Sequence, residues 1–125
     1  MAIGKKAEAL LDVRQAGIGI SAGVANYRKT FFAANPTLEG KVWVHHAVEQ
    51  QVLTRYPGAF SKQELGELVN LRGIPNSINS EIHLSKLRIE WNVFYRSNPN
   101  ATKAEILGNA SILDQKYGRF FNPPQ

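Results

Sequence analysis

The three histidines of this chain fall in an order that points to chemistry. His45 and His46 are adjacent, Asn70 and Asn79 follow, and His83 lies four residues after Asn79. Hydrolysis of a phosphodiester needs a base to take a proton from water, positive charge on the phosphate and help for the leaving oxygen. A neutral imidazole is the usual base near neutral pH, and the unperturbed value of about 6.5 predicts an activity that rises as that imidazole deprotonates. On a helix Asn79 and His83 share one face. With one histidine of the pair they make three protein ligands, leaving room for water and a phosphate oxygen. Arg72, Lys86 and Arg88 are the candidate phosphate contacts. Cysteine is absent, so thiolate metal sites and thiol nucleophiles are excluded, and any ion must rest on His, Asn, Asp or Glu.

Such a site needs particular elements to hold it. Lys41-Val42-Trp43-Val44 is β-branched and aromatic, which predicts a strand. Consecutive strand residues point to opposite faces, so the strand must bend or end at the pair for both imidazoles to reach one phosphate. Asn70-Leu71-Arg72-Gly73-Ile74-Pro75 predicts a second short extended piece, stopped by Gly and Pro. From Asn79 the apolar residues Ile82, Leu84, Leu87, Trp91, Phe94 and Tyr95 recur at helical intervals, the strongest periodicity in the chain. Ser61-x-x-Glu64 is a capping box that opens a helix with Leu65, Leu68 and Val69 on its apolar face, expected to unwind near Asn70. Thr102-x-x-Glu105 is a second, which opens the last helix. Residues 4–16, 18–34 and 47–56 also read as helical. The expected fold is α+β and mostly helical. Its two-stranded antiparallel element comes from residues 41–46 and 70–74, with residues 79–96 packed across it through Leu87, Trp91 and Phe94. Trp43 is expected in the core, as are Trp91, Phe94 and Tyr95.

The chain has 125 residues, 43% hydrophobic and 20% charged, the size and composition of an ordinary globular domain. No apolar run approaches the roughly 20 residues of a membrane helix, and no charged-then-apolar leader is expected at the start. A net charge of +5 fits a polyanionic partner, because neutralising phosphates supplies most non-specific nucleic-acid affinity.

The ordered set of His-His, Asn-Leu-x-Gly-Ile-Pro and Asn-x-x-x-His at a helix start resembles the HNH and endonuclease VII superfamily, the ββα-metal or His-Me finger nucleases. More narrowly, Val44-His45-His46-Ala47-Val48-Glu49-Gln50-Gln51, Tyr56-Pro57-Gly58 and Ile82-His83-Leu84-Ser85-Lys86-Leu87-Arg88-x-Glu90-Trp91 resemble toxin-type members. Those form the C-terminal tips of contact-dependent inhibition and rearrangement-hotspot proteins. The resemblance implies a ββα-metal core over residues 41–125, with residues 1–40 a helical extension or tether to a larger parent toxin or delivery protein. It implies one divalent ion (Mg2+, Zn2+, Mn2+ or Ni2+) on His45, Asn79 and His83. It makes His46 the general base and gives Asn70 the task of holding the strands together and orienting His46. It further implies a bacterial, delivered or secreted toxin acting in the target cell's cytoplasm, with a nucleic-acid substrate and a cognate immunity protein as partners. DNA is favoured as substrate because the superfamily mostly cuts DNA.

The chain departs from the simplest pattern in two ways. A helix intervenes between the two strands, and Asn79 stands where many relatives carry His; Glu49 is the alternative ligand. Cleavage of RNA by the same base and ion is a second reading. A third is a non-catalytic, basic DNA-binding module that lays residues 79–96 in the major groove.

Overall fold

The computed structural model describes residues 26–125; the helix expected over residues 4–16 lies outside them. The architecture is mixed helix and sheet, of the α+β class, with one two-stranded antiparallel sheet among the described residues. Helix α1 (Tyr27–Ala34) ends where Asn35 and Pro36 stop it. Strand β1 (Val42–His46) pairs antiparallel with β2 (Leu71–Pro75), in a register that sets Trp43 opposite Ile74 and His46 opposite Leu71.

The sheet is covered on both faces. Phe31 of α1 is buried with Val42, Val44 and Leu71, so contacts cross the sequence-expected boundary at residue 40. Gly73 permits the closeness of this side. A Cβ there would collide with the Asn122 carbonyl and the Phe31 ring, and the Asn122 N–H donates to the Gly73 carbonyl at 2.9 Å. Ile74 faces the other way, into the main core with Leu87, Trp91 and Tyr95. Those three recur every four residues, so they form one apolar ridge. Phe94 packs at its margin, half-buried.

The ridge belongs to a long helical run, with α4 (Asn79–Glu81) passing through a π-helical stretch (Ile82–Leu87) into α5 (Arg88–Ser97). The last helix, α6 (Lys103–Tyr117), starts at Thr102, whose capping box with Glu105 is complete, and buries Ile106, Ala110 and Leu113. The capping box at Ser61 and Glu64 is also complete. Among the described residues no helix is long and apolar enough to cross a membrane.

Three expectations are corrected. Residues 47–56 do not form one helix: only α2 (Val52–Arg55) is helical. The Asn70 amide takes the Val48 carbonyl that such a helix would need, and the Val52 N–H donates to the Glu49 carbonyl instead. The helix after Ser61 is short, α3 (Lys62–Leu65), since Gly66 closes it and the Asn70 amide captures the Leu65 carbonyl. Trp43 is not in the core but 51% exposed. The Leu87–Trp91 ridge covers Ile74, and among the described residues β1 has no further strand beside it to shelter the indole.

Candidate functional site

The site lies where β1 ends. Its last two residues point to opposite faces, as strand geometry requires, and each meets an aromatic partner. The His45 ring lies 4.6 Å from that of His83, and the His46 ring 4.4 Å from that of Tyr27, centroid to centroid. The strand stops at His46, and this lets both imidazoles reach one cleft of about 270 Å³. His83, Tyr27, Glu49, Gln50 and Gln51 line the same cleft.

Asn70 makes the stop. Its side-chain oxygen accepts from the Val48 N–H at 2.8 Å, and its amide donates to the Val48 and Leu65 carbonyls at 3.1 and 2.9 Å. Its own carbonyl accepts from the Ala47 N–H at 2.8 Å. Four hydrogen bonds on a buried side chain and its backbone thus pull the chain out of extended pairing directly after His46. Each is worth about 1 kcal/mol net, and more if a partner is left buried and unpaired. Asn70 acts on the backbone that follows the pair, with no hydrogen bond to the His46 ring.

His83 sits in the π-helical stretch. Such wider turns occur mostly as local departures within α-helices and often at functional sites. Asn79 is helical and makes no side-chain cap bond. Its Oδ1 is buried without a hydrogen-bond partner, and so is Nε2 of His46. Among the described residues no three His, Cys, Asp or Glu side chains cluster closely enough to be picked out as a metal cage, although Glu49 lines the same cleft as the histidines. Its carboxylate accepts from the Tyr95 hydroxyl and the Gln51 amide, both at 2.6 Å. The two facing imidazoles are donors that a divalent ion of borderline character accepts, whereas Asn79, one helical turn before His83, is not among the residues that line the cleft.

All three imidazoles are held neutral. Burial lowers His45 well below its ordinary value, helped by the nearby His83, His46 and Arg72. Burial, then the charges of Arg28 and His83, bring His46 down to about 4. Burial and Arg88 lower His83. A histidine whose folded value lies below its unfolded value binds fewer protons in the fold. Stability is therefore complete above about pH 6.5 and falls as the pH drops toward 4. In chelator, His46 alone should cost roughly 2 kcal/mol of stability between about pH 7 and 5, a window above the ordinary carboxylate range. Urea unfolding should show the midpoint falling across it, and less so in His46→Gln. A midpoint that does not move would contradict neutral, buried imidazoles.

The basic residues divide. Arg72 is committed to the fold: Nε and Nη2 donate to Asp114 at 3.0 and 2.8 Å, and Nη1 to the Val69 and Leu71 carbonyls. These bonds use four of its five N–H groups, and Arg72 is not among the residues that line the cleft. Lys86 and Arg88 are exposed and without an ion-pair partner among the described residues. The sequence reading missed Tyr27 and Arg28. They belong to α1, which the topology returns over the sheet, and no spacing from the His pair announces them. Arg28 is exposed, and its guanidinium lies 4.9 Å from the centre of the Tyr27 ring. Comparison with protein-family models, curated proteins and solved structures finds no match to this chain.

Proposed function

We propose that the chain is a metal-dependent endonuclease built on a ββα-metal core, with β1, β2 and the π-helical stretch as its parts. One observation carries this reading. His45 meets His83 at 4.6 Å, while His46 lines the same cleft and carries a buried Nε2 with no hydrogen-bond partner. A ligand pair and a free base thus stand side by side at the end of one strand.

His45, Asn79 and His83 would hold one divalent cation, Mg2+, Zn2+, Mn2+ or Ni2+. When bound it supplies Lewis acidity to the phosphate and charge for the leaving oxygen. His46, already neutral, takes a proton from the attacking water. Asn70 keeps the chain turned away after His46 so that the imidazole stays in the cleft. Lys86, Arg88 and Arg28 provide cations for the substrate backbone. The net charge of +5 agrees with a polyanionic substrate.

The resemblance to toxin-type nucleases supports an antibacterial role. In that role the domain is delivered by a larger parent to a target cell's cytoplasm and is neutralised by an immunity protein. DNA is the favoured substrate, and RNA the alternative. The DNA-groove reading is less well supported, because the ridge Leu87, Trp91 and Tyr95 is buried in the core. The decisive experiment incubates the domain with plasmid DNA and with total RNA, with and without chelator. DNA should be cut only when divalent ions are present, and cutting should return when an ion is restored. Cleavage indifferent to chelator would remove the metal from the reading, and no cleavage of either polymer would remove the nuclease.

A further inference from the structure

Beside the His cleft, the edge of β1 that is unpaired among the described residues carries a second concavity. It is also about 270 Å³, lined by Arg28, Phe32, Val42, Trp43, Val44 and Asn76. Val44 lines both this hollow and the His cleft. The two are therefore neighbours along one strand edge, and Tyr27 and Arg28 of α1 stand beside the join. Buried Phe31 anchors α1 to the sheet, so these two side chains are carried on a packed helix. Arg28 and Lys41 are exposed and have no ion-pair partner among the described residues. Trp43 is the large exposed aromatic here, at 51%. Three strand residues, roughly 10 Å, separate it from His46, about the length of three stacked nucleotides.

An exposed indole beside unpaired cations on a groove is what binds nucleic acid through base stacking and phosphate contact. We propose that an unpaired stretch of nucleic acid runs along this edge of β1, one base on Trp43 and the adjoining phosphate on Arg28, so that a phosphodiester about three nucleotides from the stacked base reaches His46. The inference rests on the nuclease reading and narrows its substrate to single strands, or to duplex opened locally. A base held inside a duplex stack cannot offer its face to Trp43. Single-stranded DNA and RNA share this chemistry.

The test measures binding in chelator, which keeps the substrate whole. Short oligothymidine DNA and oligouridine RNA are compared with a closed hairpin duplex of equal charge. Affinities of the wild type and of every variant are read from the anisotropy of a dye-labelled oligonucleotide. Because the chain has two tryptophans and Trp91 is fully buried, quenching of wild-type fluorescence additionally reports on Trp43. Single strands should quench it. Trp43→Ala should weaken single-strand binding about five- to a hundredfold, Trp43→Phe should retain most of it, and the duplex affinity should change less than about twofold. Arg28→Ala should reduce the slope of log affinity against log salt by about 0.7. A urea midpoint for each variant separates binding loss from unfolding. Unchanged single-strand affinity in Trp43→Ala, or an equal loss on the duplex, overturns the track. The DNA and RNA arms show which polymer seats better. Quenching without cleavage under any metal keeps the track and removes the nuclease. Cleavage indifferent to Trp43 removes the track and leaves the nuclease.

Discussion

His46→Ala is expected to lower phosphodiester cleavage by about 10²–10⁴, the usual cost of losing a positioned general base, while nucleic-acid binding stays within a few-fold. The substitution leaves His45, Asn79, His83 and the surface cations in place and removes only the proton acceptor. The side chain is buried against Tyr27, so a urea midpoint must accompany the rate. His46→Gln, closer in volume, should show the same rate loss with a smaller loss of stability. Burial and Arg28 bring His46 to about 4, so the acid limb of the metal-loaded wild type should lie well below pH 6.5, not at the value expected from an unperturbed imidazole. That limb should flatten in the variant. His45→Ala should behave differently, losing metal affinity together with turnover. Exchanged phenotypes would reverse the roles within the pair, and two silent variants would take the chemistry away from it.

The second large effect is expected at His83. His83→Ala should abolish cleavage and weaken divalent-ion binding by at least about 100-fold, since loss of merely an outer-shell partner costs 10–100-fold. His83 is half-buried and its ring packs on His45, whereas the ridge that holds the helix to the sheet is Leu87, Trp91 and Tyr95. The fold should therefore survive. Calorimetric titration should show one site in the wild type. Asn79→Ala should weaken that site as well, because the Asn79 Oδ1 has no other partner. Equal ion affinity in wild type and His83→Ala would place the ligand elsewhere, with Glu49 the next candidate through release from Tyr95 and Gln51.

The sequence by itself determined the local features. The strand 42–46 follows from its β-branched and aromatic residues, the helix starts at Ser61 and Thr102 from their capping boxes, and the ridge of α5 from apolar spacing. The antiparallel pairing of residues near 41–46 with 70–74 could also be read from it. These are short-range facts, set by backbone preference and periodicity. Tertiary structure alone decided the rest. Trp43 is chemically a core residue, but the sheet has two strands among the described residues, and the indole is left 51% exposed. Arg72 has the composition of a phosphate contact, yet Asp114, 42 residues away, occupies it. Residues 47–56 have helical composition, but Asn70, 22 residues beyond Val48, claims the Val48 carbonyl. Tyr27 reaches the His cleft, and Arg28 the hollow beside it, only because Phe31 anchors their helix on the sheet face from which His46 projects. In each case the deciding partner is distant in sequence. Local propensities of a few tenths of a kcal/mol per residue are outweighed there by buried hydrogen bonds, ion pairs and apolar contacts that only the assembled fold brings within reach.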